Sequence, residues 1–133
     1  ADPATIVAGV GTSTITVRAR DQFGNNIAGA TALLIASGSS NTLAQPAAVT
    51  DADGFTTGTL TSTVAESKNL QAIVNGVTLS SGATITVAPG AVSPTLSTIS
   101  ATPNALTAGA GSSTITVTAR DAHNNLIPGA TVV

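Results

Sequence analysis

The sequence predicts an all-β chain: tandem Greek-key β-sandwiches, one nearly whole and one begun. Three observations carry this. Apolar and polar residues alternate over short runs, no stretch has helical spacing, and the chain repeats itself after one hundred residues. Laid over residues 101–133 without a gap, residues 1–33 match at 18 of 33 positions. Pro3 meets Pro103, Gly9 meets Gly109, Arg20-Asp21 meets Arg120-Asp121, and Gly29-Ala30-Thr31 meets Gly129-Ala130-Thr131. Solenoid periods run from about 20 to 50 residues, whereas a period near 100 is the size of a whole sandwich domain.

The elements follow in order. In "STITVRARD" (13–21), Ile15, Val17 and Ala19 point one way and Thr14, Thr16, Arg18 and Arg20 the other, the pattern of a strand with one wet face. "GVGTS" before it and "GAGSS" in the second copy are turns leading into that strand; no helix follows either, so neither is a phosphate cradle. "QFGNNIAG" supplies Gly and Asn for a turn. "ATALLIAS" (30–37) is a strand. "NTLAQPAAVT" (41–50) is a weaker one suited to an edge, because Pro46 cannot donate to a ladder. "DADG" (51–54) is a tight turn. "FTTGTLTSTV", "LQAIVNGVTLS" and "ATITVAP" complete the unit, and "VSPTLSTIS" (92–100) opens the next one. The register of the repeat predicts a first unit over 1–90 that lacks its first strand, and the beginning of a second over 91–133. The chain reads as a window on a longer array.

Composition allows a core and constrains it. Val, Ile, Leu and Phe make up roughly a quarter of the residues, above the level of about 20% associated with disorder. There are two Phe and no Trp, Tyr or Met, so small aliphatic side chains must fill the interior. Net charge is −2, with four basic residues, too few to neutralise a row of phosphates, so a nucleic-acid partner is not expected. The longest apolar run, "ALLIA", is too short to span a bilayer. There is no Cys to form a disulfide or ligate a metal.

Four stretches together resemble the bacterial immunoglobulin-like group 1 domain, the repeat of invasin- and intimin-type surface adhesins. They are "STITVRARDQFGNNIAGATA", "TDADGFTTGTLTST", "NLQAIVNGVTLS" and the linker "VAPGAVSPTLSTISATPNALTAG". The resemblance implies immunoglobulin-like sandwiches in an extracellular array at the bacterial cell surface, with similar modules on virions. It also implies neighbouring repeats as partners and receptor contact through a domain of another kind. The chain departs from the family in having no Tyr, which lightens the core.

Candidate chemistry is sparse. His123 aligns with Phe23, so the repeat does not require an imidazole, and a Ser/His/Asp triad lacks its His in the first unit. Asp51 and Asp53 resemble the start of a calcium loop, but the third acid and the closing Glu are missing. The preferred reading is a capped turn; the alternative is a weak calcium site at a domain junction, with Asp2 and Asp21 as further ligands. No other cofactor is expected. Arg20-Asp21 reads as a strand end and its turn. Lys68, in "AESKN", reads as a solvated loop residue, which excludes an isopeptide with Asn. These readings predict a non-enzymatic stalk or spacer. The alternative is a self-assembling subunit of a surface layer, filament or phage decoration, exchanging the strand that carries Val92, Leu96 and Ile99 between identical chains.

Overall fold

The computed structural model describes all residues, 1–133, and contains strands and turns but no helix. It divides into two compact units, Ala1–Ala88 and Pro89–Val133.

Unit 1 is a two-layer sandwich. One sheet holds β2 (Ser13–Arg18), β5 (Phe55–Ser62) and β4 (Asn41–Ala44) in the order β2-β5-β4, all antiparallel. The other holds β1 (Thr5–Val7), β8 (Ala83–Ala88), β6 (Ser67–Val74) and β3 (Ala32–Ala36) in the order β1-β8-β6-β3, with β7 (Val77–Thr78) on β6. β1 runs parallel to β8, with Thr5 opposite Thr86. The other pairs in this sheet are antiparallel.

The inward residues of both sheets meet in one cluster that includes Ile15, Val17, Leu34, Leu60, Leu70 and Ile85. β2 shows why the chain folds this way: Ser13, Ile15 and Val17 are buried and Thr14, Thr16 and Arg18 exposed, so period-2 alternation sorts the strand onto one face. The core is as light as its composition dictates. Leu60 and Ile85 are its largest fully buried apolar side chains, while Phe23 is 80% exposed.

Three details differ from the sequence reading. β4 ends at Ala44, and the next residue substitutes its side chain for a strand: the Gln45 amide accepts from Leu34 N–H at 2.7 Å and donates to Leu34 C=O at 2.9 Å. β4 pairs only with β5, so it is an edge. "LQAIVNGVTLS" is a hairpin, not one strand, because Asn75 (φ 47°) and Gly76 (φ 82°) form a two-residue reversal between β6 and β7. Lys68 lies on β6 and is fully buried, not in a solvated loop.

Unit 2 contains β9 (Thr98–Thr102) and β10 (Thr114–Thr118), antiparallel with Thr114 opposite Thr102. Unit 1 has the same register in brief, as a bridge between Asp2 and Thr14. Ser13 and Ser113 likewise donate from Oγ to the carbonyls of Pro3 and Pro103, each at 2.7 Å.

Candidate interaction surface

One local device recurs three times. Asp21, Asp51 and Asp121 each accept, at Oδ1, the backbone N–H of the second and fourth residues that follow. All six bonds are 2.9 Å. The third residue after each Asp takes positive φ: Gly24 (86°), Gly54 (79°) and Asn124 (68°). A short carboxylate can cap successive N–H groups only where the backbone turns into the left-handed region, which Gly and Asn tolerate. Asp51 is thus engaged as a cap, and Asp53 enters through its backbone N–H. No group of three or more His, Asp or Glu side chains is assembled to hold a metal ion.

The preceding residue, Thr50, is buried and fixes the facing loop. Its hydroxyl donates to Ile27 C=O at 2.7 Å and accepts Ala30 N–H at 2.9 Å. "TDADG" is therefore a fastener between two turns.

Asp21 and Asp121 begin alike and end differently. Each Oδ2 accepts the side-chain amide of the Asn four residues on, at 2.8 Å. Asp121 Oδ2 also accepts Gly90 N–H at 2.8 Å, and Asp121 is 1% exposed, whereas Asp21 is exposed. Burial pushes the Asp121 carboxyl up. The Asn125 side chain and the N–H groups of Gly90, Asn125 and His123 outweigh it and hold the pKa at about 2. Asp21 is also lowered, first by the Asn25 side chain and then by Asn25 N–H.

The cover over Asp121 is the segment from Gly90 to Ser97. Ser93 N–H donates to Arg120 C=O at 2.6 Å, and Ser97 Oγ both accepts Arg120 N–H at 3.0 Å and donates to Arg120 C=O at 3.2 Å. Val92 bridges Asp121, Leu96 is partly exposed in the following turn, and Ile99 is an exposed residue of β9. The residues singled out for strand exchange thus sit on their own unit. His123 is an exposed turn residue whose N–H serves the Asp121 cap.

Lys68 closes one end of the unit 1 sandwich. Its Nζ donates to Ser39 C=O at 2.7 Å and to Glu66 Oε1, which also accepts Ser39 N–H. The Lys68 ammonium, and then Ser39 N–H, hold the Glu66 carboxyl below its ordinary range. An ammonium is buried only when paired and hydrogen-bonded, and the Ser37–Ser40 loop supplies the second partner. The sequence held a signal for this: Lys68 is in phase with Leu70, Ala72 and Val74, all buried.

A cleft of about 270 Å³ in unit 1 opens between the sheets and is lined by Val17, Leu34, Leu70 and Leu79 among others. Arg18 is the one ionisable residue on its wall. No nucleophile is paired with a base there, so it offers shape and apolar contact but no acid–base chemistry.

Residues 1–88 match the family described as bacterial Ig-like domain (group 1). Among solved structures, invasin, described as a bacterial integrin-binding protein, superposes with TM-score 0.79 at 25% identity, over 98% of this chain and 27% of its own. The Escherichia coli adhesin FdeC gives TM-score 0.69 at 26% identity, over 96% of this chain and 41% of its own. The Yersinia pseudotuberculosis adhesin InvE gives 0.62 at 31% identity, over 76% and 28%. The chain therefore spans about a quarter to two fifths of these proteins. No curated protein matches it in sequence. With the family match covering the whole of unit 1, the chain belongs to the bacterial Ig-like domain (group 1) family.

Proposed function

We propose that the chain is a stalk segment of an extracellular, adhesin-like bacterial surface protein. In this reading residues 1–90 and 91–133 belong to successive repeats whose task is spacing, and any receptor is met by another part of the full protein. The observation that carries the reading is structural repetition without a reactive site. The Asp cap, the Ser-to-Pro carbonyl bond and the strand register recur one hundred residues apart, and no catalytic group accompanies them. The likeness to invasin, FdeC and InvE supports placement at the cell surface.

Mechanical unfolding of the native full-length protein tests this. A stalk of such units yields a regular series of unfolding events, each releasing about 300 Å of chain for a unit of roughly 90 residues at 3.3–3.6 Å per residue. Irregular release, or a compact particle in electron micrographs in place of a thin rod, would overturn it. The filament alternative would have to strip Gly90–Ser97 from Arg120 and Asp121, so it is the less favoured reading.

A further inference from the structure

The β3 edge of unit 1 is closed by a side chain in place of a strand. β3 is the last strand of its sheet, paired with β6 on one side. Asn75 N–H donates to Thr31 C=O at 3.0 Å, and Ser37 N–H donates to Asn69 C=O at 2.9 Å. With the register between the strands, these bonds turn the backbone groups of Leu33 and Ile35 towards β6. The N–H and C=O groups of Ala32, Leu34 and Ala36 therefore point to the open side. The central pair, on Leu34, is taken by the Gln45 amide at 2.7 and 2.9 Å. Gln45 directly follows β4, the edge of the other sheet, so its side chain laces one sheet edge to the other. Pro46 restricts the Gln45 backbone to extended geometry, which limits the directions in which that side chain can leave. The edge is made wholly within residues 32–46, while β1 and β2 lie at the far ends of the two sheets.

Edge strands are ordinarily protected by charge, proline, a bulge or a covering segment. β3, "ALLIA", has no charge and no proline, and its register with β6 is unbroken. Its outer face carries Leu33 and Ile35, 49% and 46% exposed. Such an edge suits a second copy of itself. A two-fold axis at Leu34 would set Leu34 against Leu34 and Ala32 against Ala36 in hydrogen-bonded pairs, and Leu33 against Ile35 of the second copy. We propose that Gln45 is an edge guard: its amide occupies the central position of the β3 edge and keeps copies of this chain from joining by antiparallel β3–β3 pairing. A side-chain amide fits the task because, like a peptide group, it accepts from the N–H and donates to the C=O of one residue. The inference goes beyond the stalk reading, since it concerns contact between chains and not spacing along one.

The test is the Gln45→Ala variant of the full 133-residue chain, compared with the parent by sedimentation and by amide exchange. The parent should be a monomer and the variant a dimer at the same concentration. The amides of Ala32 and Ala36, unpaired in the parent, should exchange about tenfold or more slowly in the variant, as N–H groups brought into a ladder do. Gln45→Met keeps an unbranched stem but neither amide bond, and should behave in the same way. Both variants should retain protection along the ladder between β2 and β5, which shows that unit 1 is still folded. A variant that keeps this ladder and stays monomeric would overturn the proposal. So would a dimer in which Ala32 and Ala36 exchange as in the parent, association that accompanies loss of the β2–β5 ladder, or a parent already paired through β3. None of these results bears on unit-by-unit unfolding of the stalk, so the two readings fail separately.

Discussion

The run Ser-Thr-Ile-Thr-Val occurs at 13–17 and again at 113–117, and the two copies live in different surroundings. Ile15 and Val17 are 5% and 4% exposed; Ile115 and Val117 are 58% and 41% exposed. β2 lies in a sheet opposed by Leu34, Leu70 and Ile85, whereas β10 pairs with β9 alone among residues 1–133. Five consecutive residues thus encode the same strand and the same apolar face in both places. What they do not encode is what lies across from that face. The corner that follows reverses the inequality: Asp121 is covered and Asp21 is open. Strand character is local, but burial belongs to the partner.

The comparison is broken most strongly at the isoleucines. Ile15→Ala removes buried methyl groups from a close-packed core and should cost unit 1 about 2–4 kcal/mol. Ile115→Ala takes side-chain area from water and should change the stability of unit 2 by no more than about 0.5 kcal/mol. Denaturant unfolding, read on amide signals from each unit, measures both. Equal losses would mean that Ile115 is buried in solution.

Lys68 sharpens the contrast by showing what closes the unit 1 sandwich. Lys68→Met keeps most of the buried stem but leaves the Ser39 carbonyl without its ammonium partner. A hydrogen bond to a charged group contributes about 1.5–3 kcal/mol, so denaturant unfolding of unit 1 should show a loss in that range. A stabilised variant would mean that desolvation of the ammonium outweighs its two hydrogen bonds, as replacement of buried ion pairs sometimes reveals.

These residues also show how far the sequence can be read. Alternation placed Ile15, Val17 and Ala19 on one buried face and Arg18 on the other, and the structure agrees. Turn chemistry places the reversals within 22–29 and at 51–54. Two signals were present but outweighed. The Asn75-Gly76 turn is masked by the apolar residues that continue on both sides of it. The charge of Lys68 hid a position whose phase with Leu70 is that of the core. The cover on Asp121 was not legible at all. It depends on Gly90 and Ser97 meeting residues 31 and 23 positions away, and nothing local marks either residue as a partner.

Acid sets the next test. The Asp121 carboxyl is lowered from 3.8 to about 2 in the folded chain, so its charged form is favoured by folding. Its contribution is therefore fully present above pH 3.8, declines as pH falls towards 2, and is gone below that. Asp121→Asn should flatten the acid limb of unit 2 stability between those values. Asp21→Asn should change the acid limb of unit 1 less, because water already solvates that exposed carboxylate. Urea titrations from pH 2 to 5 report both slopes, and a steeper response at Asp21 would contradict the burial difference.

The smallest effect concerns a difference the repeat itself displays. Arg18 occupies the position that Thr118 holds in unit 2. On β2 the guanidinium lies 4.7 Å from the ring centroid of Phe55, its cross-strand neighbour, and donates to Asn26 Oδ1 at 3.1 Å. Exposed contacts of this kind contribute about 0.5–1 kcal/mol, and Thr is itself well suited to a strand. Arg18→Thr should therefore lower unit 1 stability by about 0.5 kcal/mol and leave the ladder between β2 and β5 intact, as amide exchange would show. Loss of protection along β2 would mean that the cation–ring pair sets the strand register. Retained protection would leave the register to the buried face formed by Ser13, Ile15 and Val17, the face the two repeats have in common.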